Sequence, residues 1–264
     1  MTDTTAWLSS ASPANYKWCI AHPQSAWMPG SVLPSLSLGR RPDLIEVKGR
    51  GADLLTIASM IVPLLPDRYT AQQALDRLKE GNARFVRGEA RFPTVQKEIL
   101  AALAKEQHPF ATILGCSDSR VPPELIFDAG FGELFVIRVA GNVLGTEILG
   151  TLQYAGRHLQ TPLFVVLGHE ACGAVTAAVD SLFHGAKLES RIEALLADII
   201  PGLVELDRTL PREALLHNAV EANVRHTMRQ LLEMPEVQER LAAGEVRLVG
   251  GVYELESGRV RFLE

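Results

Sequence analysis

The sequence predicts an α/β protein with a mainly parallel central β-sheet flanked by helices, an antiparallel edge strand and an N-terminal helical extension. Three observations lead there. Apolar runs at Ala111–Leu114, Leu134–Ile137 and Leu163–Leu167 have the unbroken hydrophobicity of strands buried on both faces. Helical periodicities lie around and between them, as βαβ units require. Near the C-terminus, Val246–Tyr253 and Arg259–Phe262 flank Ser257-Gly258, a turn signal that joins two final strands.

In chain order, residues 1–66 hold all 3 tryptophans (Trp7, Trp18, Trp27) and many of the 15 prolines, with little sustained periodicity. Such punctuation resists a packed helix or sheet, so this segment is expected to be a poorly structured or accessory extension. Leu54–Leu65 is apolar but too short to span a bilayer, and Pro63 breaks it. It is expected to be a docking helix, with no stable membrane insertion. Arg40-Arg41 ahead of it resembles a twin-arginine export signal starting at Met28, but Pro42, Asp43, Glu46 and Asp53 spoil the pattern.

From Thr70, an N-cap residue, Ala74, Leu75, Leu78, Ala83 and Phe85 recur at helical spacing, with Gly81-Asn82 interrupting or weakening the helix. A second helix over about Val95–Lys105 stops ahead of Pro109. After the first core strand, Glu124–Phe127 makes a short helical turn, and Val139–Asn142 a tight loop after the second. Helix Thr146–Leu159 leads to the third strand. Gly173–Phe183 is helical in pattern, as is about Ser190–Asp207, interrupted near Pro201. Pro211 starts a long helix to about Glu233, and a shorter one spans Val237–Ala243.

Composition excludes several classes. A net charge of −5 without a dense Lys/Arg cluster argues against nucleic acid and anionic membranes as partners. Three cysteines, two of them in ligand spacing, do not make a disulfide framework, and reduced thiols favour the cytoplasm over a periplasmic location. Cys19 is left over as an incidental thiol.

The chemistry concentrates at two strand ends. Gly115-Cys116-Ser117-Asp118-Ser119-Arg120 follows the first strand, and alternate positions place thiol, carboxylate and guanidinium on one side. Gly168-His169-Glu170-Ala171-Cys172-Gly173 follows the third. Cys116, His169 and Cys172 form a Cys₂His set, which suits Zn²⁺ and leaves the fourth position open, as catalytic zinc sites do. Neighbouring parallel strands would bring both turns to the carboxyl edge of the sheet. Cys172 at a helix N-terminus should favour thiolate.

Cys-Ser-Asp-Ser-Arg followed by Gly-His-x-x-Cys-Gly resembles the signature of the β-class carbonic anhydrases, from about Tyr69 to the C-terminus. The resemblance implies a catalytic domain over 67–264 that performs zinc-dependent reversible hydration of carbon dioxide to bicarbonate. It assigns the metal to Cys116, His169 and Cys172, and a catalytic dyad to Asp118 and Arg120. Held by Arg120, Asp118 orients the attacking group; released, it closes the fourth zinc position. Gln107 and the Gly173 N–H match groups that position bicarbonate, and Phe135, Ala140 and Tyr154 match positions lining the carbon dioxide pocket. Gln107 is expected to act across an interface, hence a homodimer or homotetramer. Ile113 stands where some members carry the tryptophan of a second, regulatory bicarbonate pocket. Arg138, which matches that pocket's arginine, is therefore read as stabilising a strand end or the dimer.

Zinc brings the pKa of water from about 15.7 to about 7, but two thiolates neutralise the metal and weaken this effect, so activity should rise toward alkaline pH. Two other functions fit the same ligands. One is hydrolysis of carbonyl sulfide or carbon disulfide; the other is a non-catalytic zinc protein, which would need a closed fourth position.

Overall fold

The computed structural model describes residues 37–38, 45–46, 68–91, 100–101, 103–187 and 190–263. The expectations for the N-terminal extension, Cys19, the Leu54–Leu65 helix and most of the Val95–Lys105 helix lie outside these residues. The chain divides into two units, Met1–Val62 and Pro63–Glu264. Within the first, β1 (Ser37–Leu38) and β2 (Ile45–Glu46) pair antiparallel.

The second unit is built on a five-stranded sheet. Its strands are β3 (Ala111–Gly115), β4 (Leu134–Arg138), β5 (Leu163–His169), β6 (Arg247–Tyr253) and β7 (Val260–Leu263). Their order is β4-β3-β5-β6-β7, parallel except for the antiparallel edge pair β6–β7. The expected fold class is therefore the observed one. Alternate residues explain the unbroken apolar runs. Leu163, Val165 and Leu167 of β5 enter one core and Val166 the other, because successive side chains of a strand point to opposite faces. Each fully buried Leu or Val contributes about 1.5–3 kcal/mol.

One face is covered by α1 (Ala71–Val86) and the short α2 (Pro123–Ile126). Thr70 caps α1 reciprocally. Its Oγ1 accepts the Gln73 N–H at 3.2 Å, and its own N–H donates to Gln73 Oε1 at 2.9 Å. Gly81-Asn82 does not interrupt this helix. A Cβ on Gly81 would fall 1.9 Å from Phe127 O, so glycine allows α1 to close on the end of α2. Asn82 then donates to Ile126 O at 3.2 Å and Gly258 O at 2.9 Å, and accepts the Val260 N–H at 2.9 Å. Behind it, the buried Asp128 accepts from Arg84 at 2.6 Å and Arg91 at 3.0 Å.

The other face is covered by α3 (Thr146–Tyr154), α4 (Gly173–His184), α5 (Ser190–Ala197) and α6 (Arg212–Leu232), with α7 (Pro235–Ala242) following. The expected interruption near Pro201 is observed: the helix ends at Ala197 and resumes only as a 3₁₀ turn at Ile200–Gly202, short of the expected Asp207, because Pro201 supplies no N–H to continue an α-helix. Helix α3 passes into one π turn, Ala155–Leu159.

Topology places the site. From β3 the chain moves to β4 on one side, then crosses back to β5 on the other. The crevice at the carboxyl ends of β3 and β5 is thus the switch point at which open α/β sheets bind ligands.

Candidate active site

Strand β3 ends at Gly115, and Cys116 follows directly; β5 runs two residues further than expected and ends on His169. The extension comes from β6, whose Val252 and Tyr253 pair with Gly168 and His169. Cys172 is then the N-cap of α4. The ligand atoms of Cys116, His169 and Cys172 lie within 4.8 Å of one another, and the residues are 4%, 0% and 2% exposed.

The imidazole is fixed from behind. A carbonyl only accepts, so His169 Nδ1–H donates to Glu170 O at 2.8 Å, leaving Nε2 as a bare lone pair. Among the described residues, buried Nε2 has no hydrogen-bond partner, a condition that costs about 1–3 kcal/mol unless another group satisfies it. The sulfurs stand 3.9 Å apart, close to the ~3.8 Å edge of a tetrahedron with zinc–sulfur bonds of ~2.3 Å. The residues therefore fit a soft divalent metal.

Between the two sulfurs alone, charge settles on Cys116. Its pKa is held down to about 4, chiefly by the hydrogen bond from the Cys172 thiol; burial opposes this, and the backbone N–H groups of Gly141 and Asp118 assist. Cys172 is pushed up by the same contact and by burial. The α4 terminus acts in the expected direction through the Ala174 and Val175 N–H groups, but is outweighed.

Asp118 and Arg120 form a bidentate pair, Nε to Oδ1 at 2.9 Å and Nη2 to Oδ2 at 2.8 Å. The guanidinium, working against burial, holds the Asp118 carboxyl far below the usual carboxylate range. Asp118 Oδ2 is 3.9 Å from His169 Nε2, at the edge of the ligand cluster. Of the two states expected for Asp118, this is the one held by Arg120. Arg120 also donates to Ala171 O at 3.4 Å, linking the two ligand turns, and Ala171 itself takes a left-handed conformation with φ 50°.

Arg138, the last residue of β4, donates to Cys116 O at 2.9 Å and to Asp118 O. It stabilises a strand end, as one of its two expected roles required. Gly173 opens α4 with clear space above it. Ala140 starts the Ala140–Asn142 turn, whose Gly141 N–H reaches Cys116 Sγ at 3.4 Å.

The remaining expected residues are Phe135, Tyr154 and Gln107. The Phe135 and Tyr154 rings are 6.1 Å apart, and Tyr154 and Gln107 line a recess of about 800 Å³ with Leu100, Phe131, His108 and His158. Among the described residues, no hydrogen bond joins Gln107 to the ligand cluster. Sequence reasoning missed Asn223 and Thr227 of α6, which bond to Gly141 O and Asn142 O. The available signal was polar residues among the apolar positions of a long helix.

Two thiols and an imidazole gathered at a sheet switch point, beside a locked carboxylate, are what an α/β metalloenzyme needs. Comparison with known proteins specifies which. The family model described as carbonic anhydrase matches residues 111–260. A carbonic anhydrase of Mycolicibacterium smegmatis is 39% identical over 187 residues, covering 69% of this chain and 88% of that protein. One of Pseudomonas aeruginosa is 34% identical, covering 70% and 86%. Among solved structures, the β-carbonic anhydrase CcaA aligns with a TM-score of 0.60 at 28% identity, covering 72% of this chain and 87% of its own. The chain belongs to the carbonic anhydrase family and, within it, to the β class.

Proposed function

We propose that this enzyme uses zinc, held by Cys116, His169 and Cys172, to hydrate carbon dioxide reversibly to bicarbonate and a proton. The observation that carries this reading is the bare, buried His169 Nε2 facing two sulfurs beside the Asp118–Arg120 pair. When bound, zinc supplies Lewis-acid activation of water, whose pKa falls from about 15.7 toward about 7.

The chain's own residues orient and bind. Asp118, ionised and fixed by Arg120, accepts a hydrogen bond from the attacking oxygen's proton and aims its lone pair at carbon. Because Asp118 stays a carboxylate well into acid, it performs this role across the neutral range. The exposed start of α4 offers the Gly173 N–H to a bicarbonate oxygen, as helix N-termini do for anions. Phe135 and Ala140 supply apolar surface for carbon dioxide. Gln107 and Tyr154 complete the site from a recess that a second copy of the chain covers, so the active form is a homodimer or a larger homo-oligomer. Residues 1–66 act as an accessory extension to a catalytic domain over 67–264, and the reduced thiols fit a cytoplasmic enzyme.

Stopped-flow hydration of carbon dioxide by zinc-loaded protein, at pH near 7 and near 8.5, tests the reading. The expected result is a rate that rises with pH. Zinc-loaded protein that is inactive toward carbon dioxide at both values, but hydrolyses carbonyl sulfide or carbon disulfide, would overturn it.

A further inference from the structure

Helix α6 turns Leu215, Ala219, Val220, Val224 and Leu231 inward, yet Asn223 and Thr227 on the same helix are each only 1% exposed. Four positions apart, they lie one above the other on the helix surface. Asn223 Nδ2 donates to Gly141 O at 2.8 Å, and Thr227 Oγ1 donates to Asn142 O at 3.3 Å. One helix face therefore holds two successive carbonyls of the loop after β4.

That loop needs holding. Gly141 and Asn142 are both left-handed, with φ 69° and 46°, a conformation open to glycine and asparagine but only one of several each can adopt. Gly141 is also wedged. A Cβ there would lie 2.7 Å from Ile199 Cδ1 and 3.3 Å from the Ala174 Cβ, so the backbone has no room to withdraw. The N–H of this same Gly141 donates to Cys116 Sγ at 3.4 Å.

We propose that Asn223, assisted by Thr227, is a positioning residue for the Cys116 sulfur, acting through the Gly141 peptide. Their bonds fix the backbone on the carbonyl side of Gly141, so that its N–H stays aimed at the thiolate. An N–H donor on a ligating sulfur draws charge from it and sets both how tightly and how strongly it donates to a metal. The inference rests on the reading of Cys116 as a zinc ligand. It assigns to α6, more than a hundred residues downstream of Cys116, a part in tuning that ligand.

Zinc affinity by chelator competition, the sulfur-to-cobalt charge-transfer band of the Co²⁺-substituted protein and the melting temperature should be measured together. Wild type should bind zinc stoichiometrically. Asn223→Leu, which removes the donor at similar volume, should weaken zinc binding at least about 10-fold and shift the band. Thr227→Val should move both in the same direction by less. Leu231→Ala, a core truncation further along α6, should lower the melting temperature and leave affinity and band unchanged.

Folded Asn223→Leu with wild-type affinity and band overturns the proposal, as does Leu231→Ala losing affinity in proportion to its lost stability. If Asn223→Leu does not fold, unchanged affinity and band in Thr227→Val overturn it instead. Wild type that binds no zinc would overturn the underlying zinc reading itself, a different result from variants that bind like wild type.

Discussion

Cys116, His169 and Cys172 are at most 4% exposed, whereas the recess beside Gln107 leaves Phe131 61% and Tyr154 46% exposed. The first region is finished by the fold of one chain. Strand ends, an N-cap and backbone bonds from Arg138 and Gly141 locate every ligand. The second collects apolar surface and hydrogen-bonding side chains without covering them, as interaction surfaces do. The difference supports the proposed reading, in which the single chain gathers the metal cluster and a second copy of the chain completes the substrate site.

The largest effect should come from the closed region. Cys116→Ser should abolish stoichiometric zinc and cut carbon dioxide hydration by at least about 10³-fold, measured by metal analysis and stopped flow. Retained zinc and turnover would break the comparison on its first side. Phe131→Asp addresses the other side. It should shift the protein toward monomer by about 2 kcal/mol or more in sedimentation, lower turnover, and leave zinc content intact. Monomers with undiminished turnover would show that the recess has no part in the site.

Asp128→Asn tests whether the closed region tolerates damage elsewhere in its own unit. Leaving Arg84 and Arg91 beside an uncharged amide should destabilise the fold by about 3 kcal/mol in urea denaturation at pH 7, with zinc content unchanged. Burial pushes the Asp128 carboxyl up, but the hydrogen bonds from Arg84 and Arg91 outweigh it, so its folded pKa is depressed. Its stabilising contribution is therefore complete above the unfolded value of about 3.9 and is lost as pH falls through the folded one. The gap between variant and wild type should accordingly shrink in strong acid. The smallest effect belongs to Ala171→Gly, which relieves a left-handed alanine between two ligands and should raise stability by about 0.5 kcal/mol in the same assay.

The Cys116, His169 and Cys172 cluster was legible in the sequence because Cys116 directly follows one buried strand, His169 ends another, and Cys172 lies three residues on, at the start of a helix. The strands themselves followed from the same runs and from the final hairpin, whereas their order in the sheet came from the structure. The supports were not legible. Asn223 reaches Gly141 across 82 residues and Thr227 reaches Asn142 across 85, and polar residues at apolar positions of α6 signal a buried partner without saying which. The exact end of β5 depended on pairing with β6, and the fate of Gly81 depended on the approach of Phe127; both are tertiary facts. Gln107 and Tyr154 were identified by resemblance, and a single chain leaves both exposed.

X-ray absorption at the zinc edge of the purified protein tests the central claim most directly. The account predicts one zinc per chain with two sulfur neighbours at about 2.3 Å and one imidazole nitrogen and one further light atom at about 2.0–2.1 Å, in the oligomer and in the Phe131→Asp monomer alike. A monomer without zinc, or a zinc shell of four sulfurs, would contradict a metal centre completed by Cys116, His169 and Cys172 of a single chain.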